Sequence, residues 1–361
     1  MTGRERVCAI LNKKPVDKLC WTALVDQTTI SDLPVEYKSY LGLDFYKHIG
    51  CDVFMLNCWG MPFDFASPEL IWPDFVHEQV RKENEKTVQE YSIGRNKLSR
   101  ILKNGHPMKY PVASIDELVL YRNMWEGAKF ICKDDEHICA NVTSEIGDDG
   151  ITTRFWGPST IPFLLEEIIG VQEFYYLLTD HRQEMDILFD TIHKKHLQAF
   201  EILAKGPLET VILCENTSTH YISPDIYRKY NLPHVKDFVD IMHANGKKAI
   251  IHMCGHIKNL LPLMKDVEMD GIHALTPPPT GDTPWEYALD VLGEDLIIIG
   301  ALDPAIWIMD PIEKISETLD QLYTHRLRKA HFILQLFADG ISVPLERFMA
   351  VAQWMNEKGK P

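Results

Sequence analysis

The chain has 361 residues, of which 45% are hydrophobic, and its 52 acidic residues outnumber its 37 basic ones. The formal net charge of −15 argues against binding to nucleic acid or to an anionic membrane, because the average field of the protein repels polyanions. Its apolar runs are too short to span a bilayer and its start lacks a long apolar signal region, so we expect a cytoplasmic protein. The eight cysteines include no CxxC pair, which is typical of reduced thiols.

The first half of the chain predicts strands and helices in alternation, with one interruption. A short helix is expected over "GRERVCAILN". Strands are expected over "KLCWTALV", "CDVFMLNCWG" and "HICANVTSEIG". Between about residues 65 and 121 the rhythm breaks, and "KTVQEYSIGRNKLSRIL" is typical of an inserted hairpin that turns at Gly94-Arg95-Asn96. A long amphipathic helical region begins at "PFLLEEIIG".

The second half is more regular and decides the fold class. Five further strands are expected, over "ETVILCENTS", "KAIIHMCG", "GIHALTP", "DLIIIGALDP" and "AHFILQLFADG", with helical segments between them. Eight short apolar strands that alternate with helices indicate a parallel sheet, and eight such units in this length indicate a (β/α)8 TIM barrel. We therefore predict one barrel domain over residues 1–361, with an inserted β-hairpin region within about 65–121.

The stretch "AIIHMCGH" places His252 and Cys254 two positions apart at the end of the predicted fifth strand. Residues i and i+2 of a strand point to the same face, and imidazole and thiolate are ligands that zinc prefers. A hydrogen-bonded core histidine and a small buried thiol would give the same pattern. Because barrel chemistry sits at the carboxyl ends of strands, the neighbouring end with Cys214, Glu215 and Asn216 supplies further possible ligands.

The sequence resembles the uroporphyrinogen decarboxylase superfamily, and within it the cobalamin-dependent methyltransferase branch. The resemblance rests on "RERVCAILN…PVDK", "ENTSTHYISPDIYRKYNLPHVKDFV", "GKKAIIHMCGHIKNLLP", "GALDP" and "GISVPLERFMA". The decarboxylase activity is disfavoured, because "WTALVDQTTI" stands where those enzymes carry an arginine-containing "RQAGR"-like run that binds substrate carboxylates.

In the zinc methyltransferases of that branch, a His-x-Cys pair is joined by a distant cysteine in a "GC" dipeptide before "VP". His252 and Cys254 match the pair, but Gly340-Ile341 stands at the third position, and isoleucine cannot bind zinc. The resemblance thus implies Zn²⁺ with a replacement ligand, for which Glu215 is the first candidate and Cys214 the second. Asp186, Cys214 and Cys254 also form a D-x27-C-x39-C spacing similar to one proposed for aromatic ether demethylases, although Asp186 falls inside a predicted helix.

The resemblance further implies a corrinoid (cobalamin) carried by a partner protein, and a small methylated substrate. A carboxylate in place of a thiolate would suit an oxygen ligand, so we expect methyl transfer from a methyl ether, such as a methoxylated aromatic, to Co(I). Transfer from the methyl-corrinoid to a thiol or to tetrahydrofolate is the alternative. A barrel that only binds a ligand or the corrinoid partner is the second alternative.

The remaining site residues are assigned from their positions at predicted strand ends. Glu215 and either Tyr221 or His220 are expected to take part in catalysis, the latter two as proton donors to the leaving phenolate. Contacts with cofactor or substrate are assigned to Asn216 and to aromatic side chains, which could instead be rim packing; the aromatic candidates are Trp21, Trp59, Phe63, Trp156 and Tyr221.

Overall fold

The computed structural model describes residues 1–26, 29, 33, 34, 36, 42–338, 340 and 342–360. Fourteen strands occur in these parts of the chain, labelled in order: β1 (Cys20–Leu24), β2 (Val53–Leu56), β3 (Glu69–Ile71), β4 (Val76–Glu83), β5 (Lys86–Ile93), β6 (Asn96–Lys103), β7 (His106–Lys109), β8 (Lys129–Ile131), β9 (Gly150–Trp156), β10 (Thr210–Cys214), β11 (Lys248–His252), β12 (Gly271–Leu275), β13 (Ile297–Ala301) and β14 (His331–Phe337).

Eight of these strands form one parallel sheet in the order β1-β14-β13-β12-β11-β10-β9-β2. The two end strands lie side by side, where the Asp52 amide donates to the Trp21 carbonyl at 2.9 Å and the Phe54 amide donates to Thr22 Oγ1 at 3.2 Å. The sheet therefore closes on itself, and the predicted (β/α)8 barrel is confirmed. The main helices outside it are Gly42–Ile49, Ile115–Gly127, Glu136–Ile146, Val171–Asp180, Arg182–Lys205, Leu232–Ala244, Trp285–Leu292, Glu313–Leu322 and Leu345–Lys358.

Alternation along the strands separates two apolar layers. One buried cluster fills the barrel lumen with large residues from successive strands: Phe54, Ile212, Ile250, Ile297, Ile299 and Ile333. The residues between them, such as Val211 and Ile251, belong to the larger layer between sheet and helices. Because side chains two apart share a face, this register fixes which strand-end residues enter the lumen.

The N-terminal helix Gly3–Leu11 closes one end of the barrel. Its Val7, Ile10 and Leu11 belong to the lumen cluster. Arg6 on the same helix is buried and donates to Asp52 Oδ1 at 2.5 Å, just before β2. Since β2 starts at this end, the opposite end carries the carboxyl ends of the strands and forms the mouth of the barrel.

One predicted strand is wrong. The stretch "HICANVTSEIG" forms the helix Glu136–Ile146, and the third barrel strand is β9 instead. Ile138, Val142 and Ile146 repeat every four residues, so a helix places them on one inward face despite the β-branched composition. The barrel still has eight strands because the short run "GITTRFW" supplies the missing one.

The region between β2 and β9 contains more than a hairpin. Strands β4 to β7 form an antiparallel four-stranded sheet, and β3 pairs with β8. Gly94, with a positive φ of 60°, lies in the turn between β5 and β6, where the sequence predicts the turn of a hairpin. No helix in the described residues is long and apolar enough to cross a membrane.

Three histidines are buried where two outer helices meet. His193 and His234 stack with ring centroids 3.7 Å apart, and His193 Nε2 donates to Asp237 Oδ2 at 2.7 Å. Burial lowers the pKa of His234 to about 2 and that of His196 to about 3. Both imidazoles are therefore neutral in the folded protein at neutral pH.

We predict that these histidines make the fold sensitive to acid. Their folded pKa values lie below the ordinary 6.5, so the unfolded chain binds more protons, and stability is lost as the pH falls below about 6.5. Each of these histidines contributes up to about 1.4 kcal/mol per pH unit to the slope of the unfolding free energy against pH. The variant His234→Gln should show a shallower fall in the free energy of unfolding between pH 7 and pH 5, measured by urea denaturation. An unchanged slope would contradict this assignment.

Candidate active site

Three of the predicted ligand residues lie at the mouth of the barrel. They are His252 and Cys254, which match the His-x-Cys pair, and Cys214, one of the two replacement candidates. Ile212 and Ile250 belong to the lumen cluster, so Cys214 and His252, two positions later on each strand, face the same space. These two residues are register partners of β10 and β11. The His252 ring lies edge-on to Phe155 of β9, with centroids 5.4 Å apart, and Cys254 follows directly beyond β11.

A hydrogen-bond chain connects Cys254 to a carboxylate. The Cys254 thiol donates to Asn216 Oδ1 at 2.9 Å, and Asn216 Nδ2 donates to Glu166 Oε1 at 2.6 Å. The backbone of Asn216 has a positive φ of 29°, and its carbonyl accepts a hydrogen bond of 2.6 Å from the Tyr221 hydroxyl. Asparagine tolerates this left-handed geometry better than most residues, which explains its place at the turn after β10.

Burial and a nearby carboxylate keep the thiols of Cys214 and Cys254 protonated in this arrangement. Burial raises the pKa of Cys254 to about 11, and the nearby Glu166 carboxylate adds to the effect. Burial, followed by the same carboxylate, raises the pKa of Cys214 further still, and burial also raises the pKa of Glu166 itself. A bound cation would reverse this balance, because it stabilises thiolate and carboxylate together.

His252 is held as a neutral imidazole by its neighbours in the lumen. Burial lowers the pKa of His252 to about 4. Its Nδ1 lies 2.7 Å from Nδ1 of His273 on β12, so one of these nitrogens carries the shared proton. Nε2 of His252 makes no hydrogen bond within the described parts of the chain, and its lone pair is therefore available to a ligand at the mouth.

Glu215 does not join this group. Its carboxylate is fully buried on the opposite side of the strand end, where it accepts hydrogen bonds from Ser159 Oγ and, at 2.8 Å, from Asn231 Nδ2. Burial raises the pKa of Glu215 to about 8. The structure therefore does not bring Glu215 together with His252 and Cys254, beside which it is predicted as a ligand: residue 215 is one position out of phase with the lumen face.

Asp186 lies still further away. It is on the outer helix Arg182–Lys205, where it accepts from the Tyr230 hydroxyl at 2.8 Å, and its side chain is 43% exposed. The D-x27-C-x39-C spacing thus brings together its two cysteines without its aspartate. Ile341, which stands where the resemblance would place a third cysteine, lies outside the described residues.

The predicted aromatic and proton-donating residues fall into two groups. Trp59 packs beside the lumen, with its ring 6.0 Å from that of Phe155. Trp156 points the other way, into the outer layer, where its ring lies 5.0 Å from His196. The Tyr221 hydroxyl donates a hydrogen bond to the backbone carbonyl of Asn216. His220, in contrast, is exposed and packs against His256 with ring centroids 3.9 Å apart.

The two other aromatic candidates do not line the lumen. Trp21 is buried in the outer layer, and Phe63 packs against that same layer.

Two residues of the site were missed by the sequence reasoning. Glu166 sits in "PFLLEEIIG", within a wide helical turn of π type over Leu164–Ile168. Such turns are common at functional sites, but no residue pattern marked this one. His273 lies in "GIHALTP", where a single polar residue inside an apolar strand was the available signal. Within the described residues, no three His, Cys, Asp or Glu side chains are gathered closely enough to hold a metal ion.

Comparison with known proteins places the chain in a family. The uroporphyrinogen decarboxylase (URO-D) family matches residues 155–356. This range includes the residues described above at the mouth of the barrel: Glu166, Cys214, Asn216, His252, Cys254 and His273. The chain belongs to this family. It is also similar to methylcobamide:CoM methyltransferases MtbA of Methanosarcina acetivorans, 26% identical over 159 residues, and of Methanosarcina mazei, 25% identical over 149 residues.

The similarity to those relatives is partial in length. The matched segments cover 43% and 40% of this chain, and 45% and 41% of the two methyltransferases. A solved structure, a methyltransferase from Methanosarcina mazei, matches over 99% of both chains with a TM-score of 0.58 at 13% sequence identity. This last match supports the barrel fold alone.

We predict that Glu215 stabilises the fold rather than binding a ligand. Glu215→Ala leaves the partner groups of Ser159 and Asn231 without an acceptor and should lower the free energy of unfolding by about 2–5 kcal/mol. Glu215→Gln retains an acceptor and should lose about 1 kcal/mol. Asp186→Ala, a control at a side chain that is 43% exposed, should change it by less than about 1 kcal/mol in the same denaturation measurement. Equal losses for all three variants would contradict this role.

Proposed function

We propose that this protein is a methyltransferase that moves a methyl group from a small methyl ether to the Co(I) corrinoid of a partner protein. The observation that carries the proposal is the placement of Cys214 and His252 as register partners at the mouth, with Cys254 just beyond the strand end and joined through Asn216 to the Glu166 carboxylate. The family match and the similarity to methylcobamide:CoM methyltransferases support the corrinoid as the cosubstrate.

The side-chain types of Cys214, His252 and Cys254 suit Zn²⁺, but in the described structure the three are not close enough to hold the ion, so binding requires their side chains to move together. Cys214, His252 and Cys254 would hold it, which gives two sulfur ligands and one imidazole nitrogen, as in catalytic zinc sites that keep a fourth position open. When bound, zinc would act as a Lewis acid that draws electron density from the ether oxygen and so weakens its bond to the methyl carbon. The raised thiol pKa values fit such an ion, because its charge would replace the protons that the thiols hold here.

The residues of the chain prepare the site in distinct ways. His252 offers a neutral imidazole with a free Nε2. Asn216 accepts a hydrogen bond from the Cys254 thiol through Oδ1 and donates one to the Glu166 carboxylate through Nδ2, so it fixes the position of both side chains. Phe155 packs edge-on against His252 and Trp59 packs against Phe155, so these two rings are the apolar groups nearest to hand for contact with an aromatic donor. The Tyr221 hydroxyl is the predicted donor of its own proton to the leaving oxygen, and it would first have to release its hydrogen bond to the Asn216 carbonyl.

Glu166 favours an ether over a thiol as the small substrate. Its negative charge contributes to the raised pKa of both Cys214 and Cys254. An incoming thiol would meet the same field, which a bound zinc ion would have to overcome before the thiol became the thiolate that methyl acceptance requires. A neutral ether is not penalised in this way.

The opposite direction, from methyl-corrinoid to a thiol, is the second candidate. It is favoured by the names of the MtbA relatives and by the soft character of two sulfurs and one nitrogen. In both directions we expect the corrinoid protein to dock at the mouth, because cobalamin is too large to enter a lumen filled with isoleucine and phenylalanine.

Metal analysis tests the ligand set directly. We expect about one zinc per chain after purification without added metal. Cys214→Ala and Cys254→Ala should each lose most of it, because thiolates are its strongest donors. Cys139→Ala, in the remote helix Glu136–Ile146, should retain it. Full zinc content in both lumen variants would refute this ligand set.

Methyl transfer is measured by the absorbance change of a reduced corrinoid protein on methylation. We expect turnover with a methyl ether from a panel that also contains methylamines and methyl thiols. Glu166→Gln removes the charge and should raise the reverse activity towards a thiol acceptor relative to ether demethylation. Transfer to a thiol by the native protein, without ether turnover, would establish the second candidate. Zinc binding without any methyl transfer would indicate a barrel that only binds its ligand or partner.

A further inference from the structure

A cleft at the closed end of the barrel, opposite the mouth, is lined by apolar and basic side chains. It has a volume of about 310 Å³ and lies between the segment that follows the N-terminal helix and the residues that lead into β14. In the part of the chain that the structure describes, no acidic residue lines this cleft. In a protein with a net charge of −15, such a concentration of positive charge opposes the average field. The cations that line the cleft are Lys13, Lys14, Lys18, Arg328 and Lys329.

Among the described residues, none of these five cations forms an ion pair with a carboxylate. Asp17, which lies between Lys14 and Lys18 in the sequence, instead pairs with Arg6 Nε and with the N-terminal ammonium group, each at 2.8 Å. Arg326, just before the cleft, is paired with two carboxylates. Because the unpaired cations repel one another, an anion bound among them would stabilise the folded protein.

The guanidinium group of Arg328 is held in place by the surrounding structure. Its Nε donates to the Tyr323 carbonyl at 3.3 Å and its Nη1 donates to the Lys358 carbonyl at 2.7 Å. The guanidinium carbon also lies 5.8 Å from the ring centroid of Trp354. Its Nη2 makes no hydrogen bond within the described residues. A guanidinium fixed in this way can donate to an anion with little further loss of side-chain entropy.

Lys13 occupies an unfavourable backbone conformation beside the cleft. It follows Asn12, the C-cap of the N-terminal helix, and has a positive φ of 57°. Glycine is the usual residue at this position of a helix end, because a side chain there is strained. A lysine in its place therefore costs stability, and its ammonium group is one of the cations of the cleft.

We infer that this cleft binds a small organic phosphate that carries at least two negative charges and an apolar body. Guanidinium and ammonium groups recognise phosphate oxygens, and five cations exceed what a single carboxylate would balance. The apolar floor, which includes Ile10, Val16 and Leu19, would contact the body of the ligand. The volume of the cleft is in the range of small-molecule sites. This site lies at the opposite end of the barrel from the mouth, so the inference does not depend on the proposed methyl transfer.

Isothermal titration calorimetry of the full chain with ADP, pyrophosphate and adenosine tests the site. We expect ADP to bind more tightly than pyrophosphate, because its nucleoside adds apolar contact, and adenosine not to bind. Added salt should weaken the binding of both anions. Arg328→Gln should weaken ADP binding about tenfold or more, because it removes hydrogen bonds from a charged donor. The control Arg326→Gln removes the same charge outside the cleft and should bind ADP as the native protein does.

Three outcomes would overturn the inference. The first is that neither ADP nor pyrophosphate binds to the native protein. The second is that the two arginine variants lose equal affinity, which would indicate a general effect of charge. The third is binding to phosphatidylglycerol vesicles without binding of ADP, which would assign these cations to a lipid surface.

Lys13→Gly separates a role in binding from a role in the fold. The change relieves the strained backbone and should raise the midpoint of urea denaturation, while it weakens ADP binding about two- to fivefold. Glu268, with a φ of 61°, offers a matched control, because Glu268→Gly relieves a similar strain without removing a cation. This variant should also be more stable than the native protein but should bind ADP at least as tightly. Native affinity for ADP in Lys13→Gly would contradict the assignment of Lys13 to the site.

Discussion

The arrangement of this site depends on the strict alternation of side chains along the barrel strands. Isoleucines at 212 and 250 fill the lumen, and this fixes the face on which every second residue beyond them lies. Cys214, His252 and Cys254 fall on the lumen side, whereas Glu215, one position along, falls between sheet and helices. The adjacent positions 214 and 215 therefore carry a candidate ligand and a structural carboxylate. The face of the strand, rather than the type of side chain, separates the two roles.

The same constraint gives the two carboxylates of this region different environments. Glu215 has three features of a structural group: full burial, two side-chain donors and a pKa raised by burial to about 8. Glu166 shares its raised pKa, but it meets the thiols through a single intervening amide. Burial is the main cause of the raised pKa values of Cys214, Cys254 and Tyr221, and the Glu166 carboxylate adds to it.

Sequence alone was sufficient for the fold class and for part of the site. The barrel followed from eight apolar segments, even though one of them, "HICANVTSEIG", is a helix, because composition favoured a strand while the four-residue repeat of Ile138, Val142 and Ile146 favoured a helix. His252 and Cys254 could be paired because their spacing and their shared strand end are local properties. Choosing between Cys214 and Glu215 required the phase of β10 relative to the lumen, and two adjacent residues at a strand end do not reveal it.

Glu166 and His273 show a different kind of limit. Glu166 reaches the site through a π-type turn, whose extra residue rotates the following side chains relative to a regular helix, and such a turn has no reliable sequence pattern. His273 reaches it because β12 is the next strand to β11, with His252 and His273 as register partners. Both contacts join residues distant in the sequence. A buried polar side chain on a barrel strand must find a partner in the lumen, and the nearest candidates lie on the adjacent strands at the same height. Applied to this chain, that requirement connects His252 to His273, so the histidine pair is the expected consequence of placing one histidine above a layer of isoleucines.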